Sequence, residues 1–327
     1  MENQYQYERL QDNTIRLLRV FGSSPEVVIP ETICGMAVSE IGAYCFAQTN
    51  KTGNCEESGD ASLRMQLCNE GKIRELAGDY LQKVTLPDSI VSLGNLAFYQ
   101  CRHLSELTIG RQLVQIGSDA FMNCRKLTSI TIRGSVTQSS GLKQILAQRN
   151  AETSVHFCPK RETEAVLIYP EYSESYDEIG PAHIFTLNIE GDGFRARQCF
   201  QDGIVSLSQY DQVFEQAVLR ENEETLCRMA AMRLYYPTGL SQERKESYEK
   251  YLTEHAAVIG KRYIKEKEKR YLSFLIQYGY LADADLAECM QYAVTQGWAE
   301  GVREILQWQK QTLENQTEDA YGFDDFS

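Results

Sequence analysis

The spacing of apolar positions changes character along this chain. Between residues 28 and 132 the aliphatics fall in short alternating runs, such as Glu106-Leu107-Thr108-Ile109 and Ser129-Ile130-Thr131-Ile132. Such runs predict short strands with aliphatics turned inward and threonines outward. The runs belong to a longer repeat. The stretch LPDSIVSLGNLAFYQCRHLSELTI lies on IGRQLVQIGSDAFMNCRKLTSITI, with Leu93/Ile116, Gly94/Gly117, Phe98/Phe121, Cys101/Cys124, Arg102/Arg125 and Leu107/Ile130 each separated by 23 residues. A diverged copy spans 28–33 and 41–47, and a partial copy covers 73–84. Between them, residues 49–71 are rich in Gly, Asn, Ser and Glu and are read as a loop insertion. Gly94 and Gly117 are read as turn positions that need permissive backbone.

One 23-residue unit is too small to enclose its own apolar side chains, so units must stack and share a continuous core. Burial of a side chain such as Phe98 or Phe121 is worth roughly 1.5–3 kcal/mol. Either loss should therefore cost several times more than a surface change.

These residues resemble the BspA-type leucine-rich repeats, whose pattern reads approximately IP-x-x-V-x-x-IG-x-x-AF-x-x-C-x-x-L-x-x-I-x-I. The resemblance covers about residues 28–132, interrupted by the insertion. It implies a solenoid of short strands and a role in recognising other macromolecules. Well-known members of that family are bacterial surface proteins.

Past the repeat the period breaks. Over 134–208 a helix is predicted at 141–148 and strands at 155–157 and 166–169. The acidic, tyrosine-rich stretch 171–178 follows as an exposed loop. A hairpin is then expected, its strands at 184–190 and 194–200 joined by Gly191-Asp192-Gly193. From 209 the period becomes helical, with predicted helices at 211–219, 223–235, 242–258, 261–278, 284–296 and 299–313. The breaks fall at Pro237-Thr238-Gly239, Gly260, Gly279 and Gly297. The last pair is weakly similar to ankyrin-like helical hairpins, and 314–327 reads as a frayed acidic tail. The expected fold class is multidomain α+β: an N-terminal leucine-rich-repeat solenoid (1–133), a small middle α+β region (134–208) and a C-terminal all-α stack of helical hairpins (209–313).

Composition narrows the function classes. Lys and Arg number 33 against 46 Asp and Glu, a formal net charge of -13, which disfavours nucleic acid as the main partner. No run of about 18 apolar residues occurs, so membrane insertion is not expected. The first ten residues carry no basic-then-apolar export pattern. A cytoplasmic location and free thiols are the resulting expectations for the 10 cysteines.

Candidate chemistry is sparse. Cys101 and Cys124 share one repeat position and are expected to stack as small hydrophobes. His156 and Cys158 lack neighbours to complete a metal set, so neither metal nor cofactor is expected. The segment Gly191–Ala196 matches a dinucleotide-loop expression, but residues 194–200 alternate like a strand where that loop requires a helix. The basic run 261–271 interleaves glutamates and is read as a solvated helical face. What remains is surface. Outward positions that recur across coils form polar ladders: Ser92 with Gln115, Glu106 with Ser129, Thr108 with Thr131, and Arg102 with Arg125. The leading expectation is a non-enzymatic scaffold binding protein partners through these residues. Its rivals are an enzyme with a site drawn from His156, Cys158, His183, Asp192 or Arg195, and a surface adhesin exported by an unrecognised route.

Overall fold

The computed structural model describes residues 3–48, 56–180 and 183–321, with residue 179 and those from 312 onward described as backbone alone. The chain divides into two compact units, 1–220 and 221–327.

In the first unit the repeat folds into two sheets with a shared core. One sheet runs through six strands: Glu26–Val28, Lys83–Thr85, Glu106–Gly110, Ser129–Arg133, Thr153–Phe157 and Ala165–Tyr169. All neighbours are parallel except the last pair. Because the register is even, one buried row links Val27, Val84, Leu107, Ile130, Val155 and Leu167. The opposing sheet carries Ile15–Gly22, Met36–Ile41, Ser92–Leu93 and Gln115–Ile116 in parallel, with Gln4–Arg9 antiparallel on Ile15–Gly22. Its matching row is buried at Leu17, Ile41 and Leu93 and continues to half-buried Ile116.

In the core, the turns that link the strands contribute a column of rings. Phe46 lies on Phe98 at 4.7 Å and Phe98 on Phe121 at 5.2 Å, each pair within 9° of parallel. Beside them the Cys101 thiol donates to the Phe46 carbonyl at 3.2 Å, and the Cys124 thiol to the Phe98 carbonyl at 3.0 Å. Each cysteine thus ties its coil to the phenylalanine of the coil before it.

Gly94 and Gly117 have a different role from the one expected. Neither adopts a left-handed conformation. A Cβ on Gly94 would stand 2.4 Å from the Ala43 amide nitrogen, and one on Gly117 2.4 Å from that of Asn95. Close approach of successive coils, rather than turn geometry, demands glycine there. The left-handed turn positions fall instead on Leu96 and Asp119, and on Gln100 and Asn123.

Several expected elements are displaced. The insertion is not all loop: Glu56–Glu57 pairs with Gln6 and Tyr7, and Ala61–Asn69 is a helix capped by Asp60, whose carboxylate accepts from the Ser62 and Leu63 amides. Residues 49–55 lie outside the described part. The boundary expected at 133 falls inside one sheet, because Thr153–Phe157 pairs in parallel with Ser129–Arg133. Helix Leu142–Ala147 supplies the crossover between them.

The acidic, tyrosine-rich stretch is a strand, Ser173–Ile179, and Ile184–Glu190 returns against it. The expected partner strand at 194–200 is instead a helical turn, Gly193–Ala196, followed by Phe200–Gln201 paired with Ile204–Val205. Gly193 is pressed against the Pro170 carbonyl oxygen, where a Cβ would stand at 2.1 Å. Arg197 is buried beneath this turn and donates to the carbonyls of Pro170, Gly193 and Ala151 at 2.6, 2.8 and 2.7 Å. Packing of that kind overrides an alternating pattern only a few residues long.

In the second unit helix Glu223–Tyr235 starts at Asn222, whose side chain accepts from the Thr225 amide at 2.8 Å. The next helix does not stop at Gly260; it runs from Gln242 to Glu266 and ends at left-handed Lys267. Gly260 serves packing, since a Cβ there would meet the Cys289 sulfur at 2.8 Å. Lys269–Gln277, Asp283–Thr295 and Ala299–Tyr321 follow, the second and third separated from their predecessors by Gly279 and Gly297 at φ 70° and 65°. The last helix extends seven residues or so past the expected start of the acidic tail; residues 322–327 lie outside the described part.

Candidate interaction surface

Two outward rows cross the six-stranded sheet. One consists of Glu26, Lys83, Glu106, Ser129 and Ser154; the other of Val28, Thr85, Thr108, Thr131 and His156. The register places these side chains on the face opposite the buried row, because successive residues of a strand point to opposite faces. Lys83 sits between two carboxylates, 3.0 Å from Glu106 and 3.6 Å from Glu26. The hydrogen bond to Glu106 and the negative charge of both glutamates hold its ammonium above the ordinary lysine value. The threonine row holds no Asp, Glu, Lys or Arg and is half-buried, with exposed Val28 at one end.

The eight expected ladder residues are therefore not one surface. Glu106, Thr108, Ser129 and Thr131 belong together on the six-stranded sheet. Ser92 and Gln115 pair on the other sheet, in a row that continues to Glu40 and Arg16; Arg16 donates to Glu40 at 2.7 Å. Arg102 and Arg125 project from the turns after Cys101 and Cys124, with Arg102 3.5 Å from Asp79.

Sequence reasoning left Lys83, Thr85 and Ser154 out of the ladder and weighed His156 only for metal binding or catalysis; all four continue the rows on both sides. A signal existed. Ser154-Val155-His156-Phe157 repeats the alternation of Ser129-Ile130-Thr131-Ile132, but the register sets the two 25 residues apart, outside the strict period.

At the C-terminal ends of these strands lies an open cleft of about 740 Å³, lined in part by Pro30, Asp88, Arg133, Cys158 and Arg161. Its one tight ion pair joins Arg133 to Asp88 at 2.7 Å, among the described residues. Glu31, also lining it, is pushed up by burial, but the Asp88 and Ser89 amides that it accepts from outweigh this and hold its carboxyl low.

The five residues weighed for catalysis lie at three places. His156 stands in the threonine row and Cys158 just beyond it at the cleft. His183 lies at the tip of the 173–190 hairpin, beside Glu178. Asp192 and Arg195 pair with each other at 2.9 Å within one helical turn. The basic run 261–271 is divided among ion pairs: Lys261 with Glu288 at 2.6 Å, Arg262 with Glu266 at 2.8 Å and with Glu224, and Lys269 with Glu300 at 3.3 Å.

Residues 76–145 match the family described as "BspA type Leucine rich repeat region". This part of the chain is a BspA-type leucine-rich repeat. The match begins after the diverged first copy and extends into helix Leu142–Ala147. Among solved structures, the chain is similar to a leucine-rich repeat protein from Bacteroides capillosus, 29% identical over 39% of this chain and 77% of that one, with a TM-score of 0.27. A leucine-rich repeat protein from T. pallidum is 22% identical over 39% of this chain and 68% of that one, with a TM-score of 0.22. No curated protein matches the chain. The BspA-type repeat accounts for the Phe98/Phe121 and Cys101/Cys124 positions, which fall one to each coil.

Proposed function

We propose that the chain is a non-enzymatic interaction scaffold whose BspA-type repeat forms a solenoid and binds a protein partner across the six-stranded sheet. The observation that carries this reading is the in-register polar surface: Lys83, Glu106, Ser129 and Ser154 beside Thr85, Thr108, Thr131 and His156, over parallel strands. A rigid sheet fixes these groups before binding, so little side-chain or backbone order remains to be imposed when a partner docks. Short β-branched threonines leave room for a partner to approach, while Lys83 and Glu106 at the side supply orientation. A leucine-rich repeat defines a scaffold and no ligand, so the partner is assigned by chemistry alone: a protein surface with polar and small apolar groups. Ser92 with Gln115, and Arg102 with Arg125, are assigned to separate secondary surfaces. The helical unit, resembling ankyrin-like hairpins, is read as a second binding module.

The test places a photo-crosslinking residue at Thr108 of the full chain in its native cell and compares the recovered proteins with those from a chain also carrying Thr131→Arg. A reproducible partner lost with Thr131→Arg, but retained with Arg102→Glu/Arg125→Glu, supports binding at the sheet. Identical recovery from all chains would sink it.

A further inference from the structure

The hairpin formed by Ser173–Ile179 and Ile184–Glu190 is a two-stranded sheet with both outer edges unpaired among the described residues. Directly opposed residues share a face, so Glu174/Ile189, Tyr176/Leu187 and Glu178/Phe185 lie on one side. That side carries an open apolar cluster between the two glutamates: Tyr176 is 67% exposed, Phe185 64%, Leu187 43% and Ile189 37%. An isolated hairpin is marginal in water unless its apolar face is covered.

The charge pattern selects what covers it. Residues 173–190 contain Glu174, Asp177, Glu178 and Glu190 and no Lys or Arg. On the open face the order along the first strand is Glu174, Tyr176, Glu178, with Glu178 held by His183 at the tip. Asp177 lies on the other face, engaged by Asn188. A second copy of the hairpin would bring carboxylates against carboxylates, and an anionic lipid surface would be repelled in the same way.

We propose that the free edge of Ser173–Ile179 takes up an extended, basic segment of another protein as a third strand. Residues on the matching face of that segment alternate Lys or Arg with an aliphatic: cations opposite Glu174 and Glu178, and an apolar side chain opposite Tyr176. Backbone groups of the edge give affinity, and the Glu-Tyr-Glu face gives selection. This surface is separate from the threonine row and does not depend on it.

A random dodecapeptide library displayed on phage, panned against the full chain, tests the proposal. The expected winners carry cation-x-aliphatic-x-cation, and their affinity falls about 10-fold or more in Glu174→Lys/Glu178→Lys and in Tyr176→Ser/Leu187→Ser. Thermal melts matching the wild type show that the variants fold, and the charge variant decides the matter if the apolar one does not. No enrichment, acidic winners, or winners that bind both variants undiminished would overturn it. So would self-association in light scattering that either variant abolishes, or binding to phosphatidylserine vesicles that either variant abolishes.

Discussion

The Tyr210 hydroxyl bridges both backbone groups of Ile168, accepting from its amide at 3.0 Å and donating to its carbonyl at 2.7 Å. Ile168 lies in Ala165–Tyr169, the last strand of the six-stranded sheet, so one phenol satisfies part of an edge that would otherwise remain open. Tyr210 is wholly buried on helix Leu207–Ala217, which marks that helix as part of the repeat's end cap. Tyr210→Phe removes the bridge while keeping the ring. It should cost roughly 1–3 kcal/mol in urea unfolding, because the Ile168 groups stay buried without partners. A change below about 0.5 kcal/mol would show the edge to be closed without the phenol.

The ring column predicts an order among core variants. Phe98 is stacked on both sides, by Phe46 and Phe121. Phe98→Ala should destabilise by about 3–5 kcal/mol. Thr108→Ala and Ser129→Ala, on the outer face, should each stay within about 0.5 kcal/mol. Chemical denaturation of the three variants checks this.

Gly117→Ala isolates close approach from turn conformation. Its new Cβ would meet the backbone of the preceding coil at Asn95, which cannot move without shifting the whole coil. A loss of roughly 1–3 kcal/mol is expected from overpacking. Gly35→Ala, at φ 78° with open space around it, should show only the smaller backbone cost of roughly 1 kcal/mol. Equal melting temperatures for the two variants would contradict the steric account.

Arg149 closes the far end of the cysteine column, donating to the Cys124 carbonyl at 2.7 Å and to that of Leu127. Burial lowers its pKa to about 10, so it remains charged at neutral pH. Arg149→Met should destabilise by roughly 2–4 kcal/mol by orphaning two carbonyls. Arg149→Lys should recover only part of that, because one ammonium does not reproduce a guanidinium fork. Unfolding curves of both variants decide it, and full rescue by lysine would refute the fork.

Thiol titration gives a pH signature. Burial pushes the Cys199 thiol up to about 11 and the Cys227 and Cys289 thiols up to about 12, from an ordinary 9.0, with acidic neighbours adding to each. The folded chain holds these protons more tightly than the unfolded chain. Their stabilisation is complete below pH 9 and declines as pH climbs toward 11–12. Arg149 and Arg197, both lowered to about 10 by burial, oppose this only from about that pH upward. The melting temperature should therefore hold between pH 8 and 9 and fall between pH 9 and 10, and a flat profile over the second interval would contradict it. A thiol reagent at pH 8 should label exposed Cys34 first and half-buried Cys68 and Cys158 more slowly, Cys55 being outside the described residues. Cys45, Cys101, Cys124, Cys199, Cys227 and Cys289 should react only on unfolding.

The sequence by itself determined the repeating part of this protein. A period of 23 residues dictates which side chains meet across coils, so the pairing of Leu107 with Ile130 and Thr108 with Thr131 was legible before any coordinates. The diverged first copy was legible too, as Phe46 joins the same column. Tertiary structure decided everything that depends on packing between segments without a period. It drew Ser154 and His156 into the ladder, ran one helix through Gly260 to reach Cys289, and turned residues 193–196 into a helical turn over Arg197. It also divided the eight ladder residues among separate surfaces, since spacing along the chain fixes which positions recur but not which sheet carries them. Local pattern records the direction of a side chain relative to its own strand; the neighbour that side chain meets is set by the path of the chain between strands, and that path is chosen by the burial of the whole core.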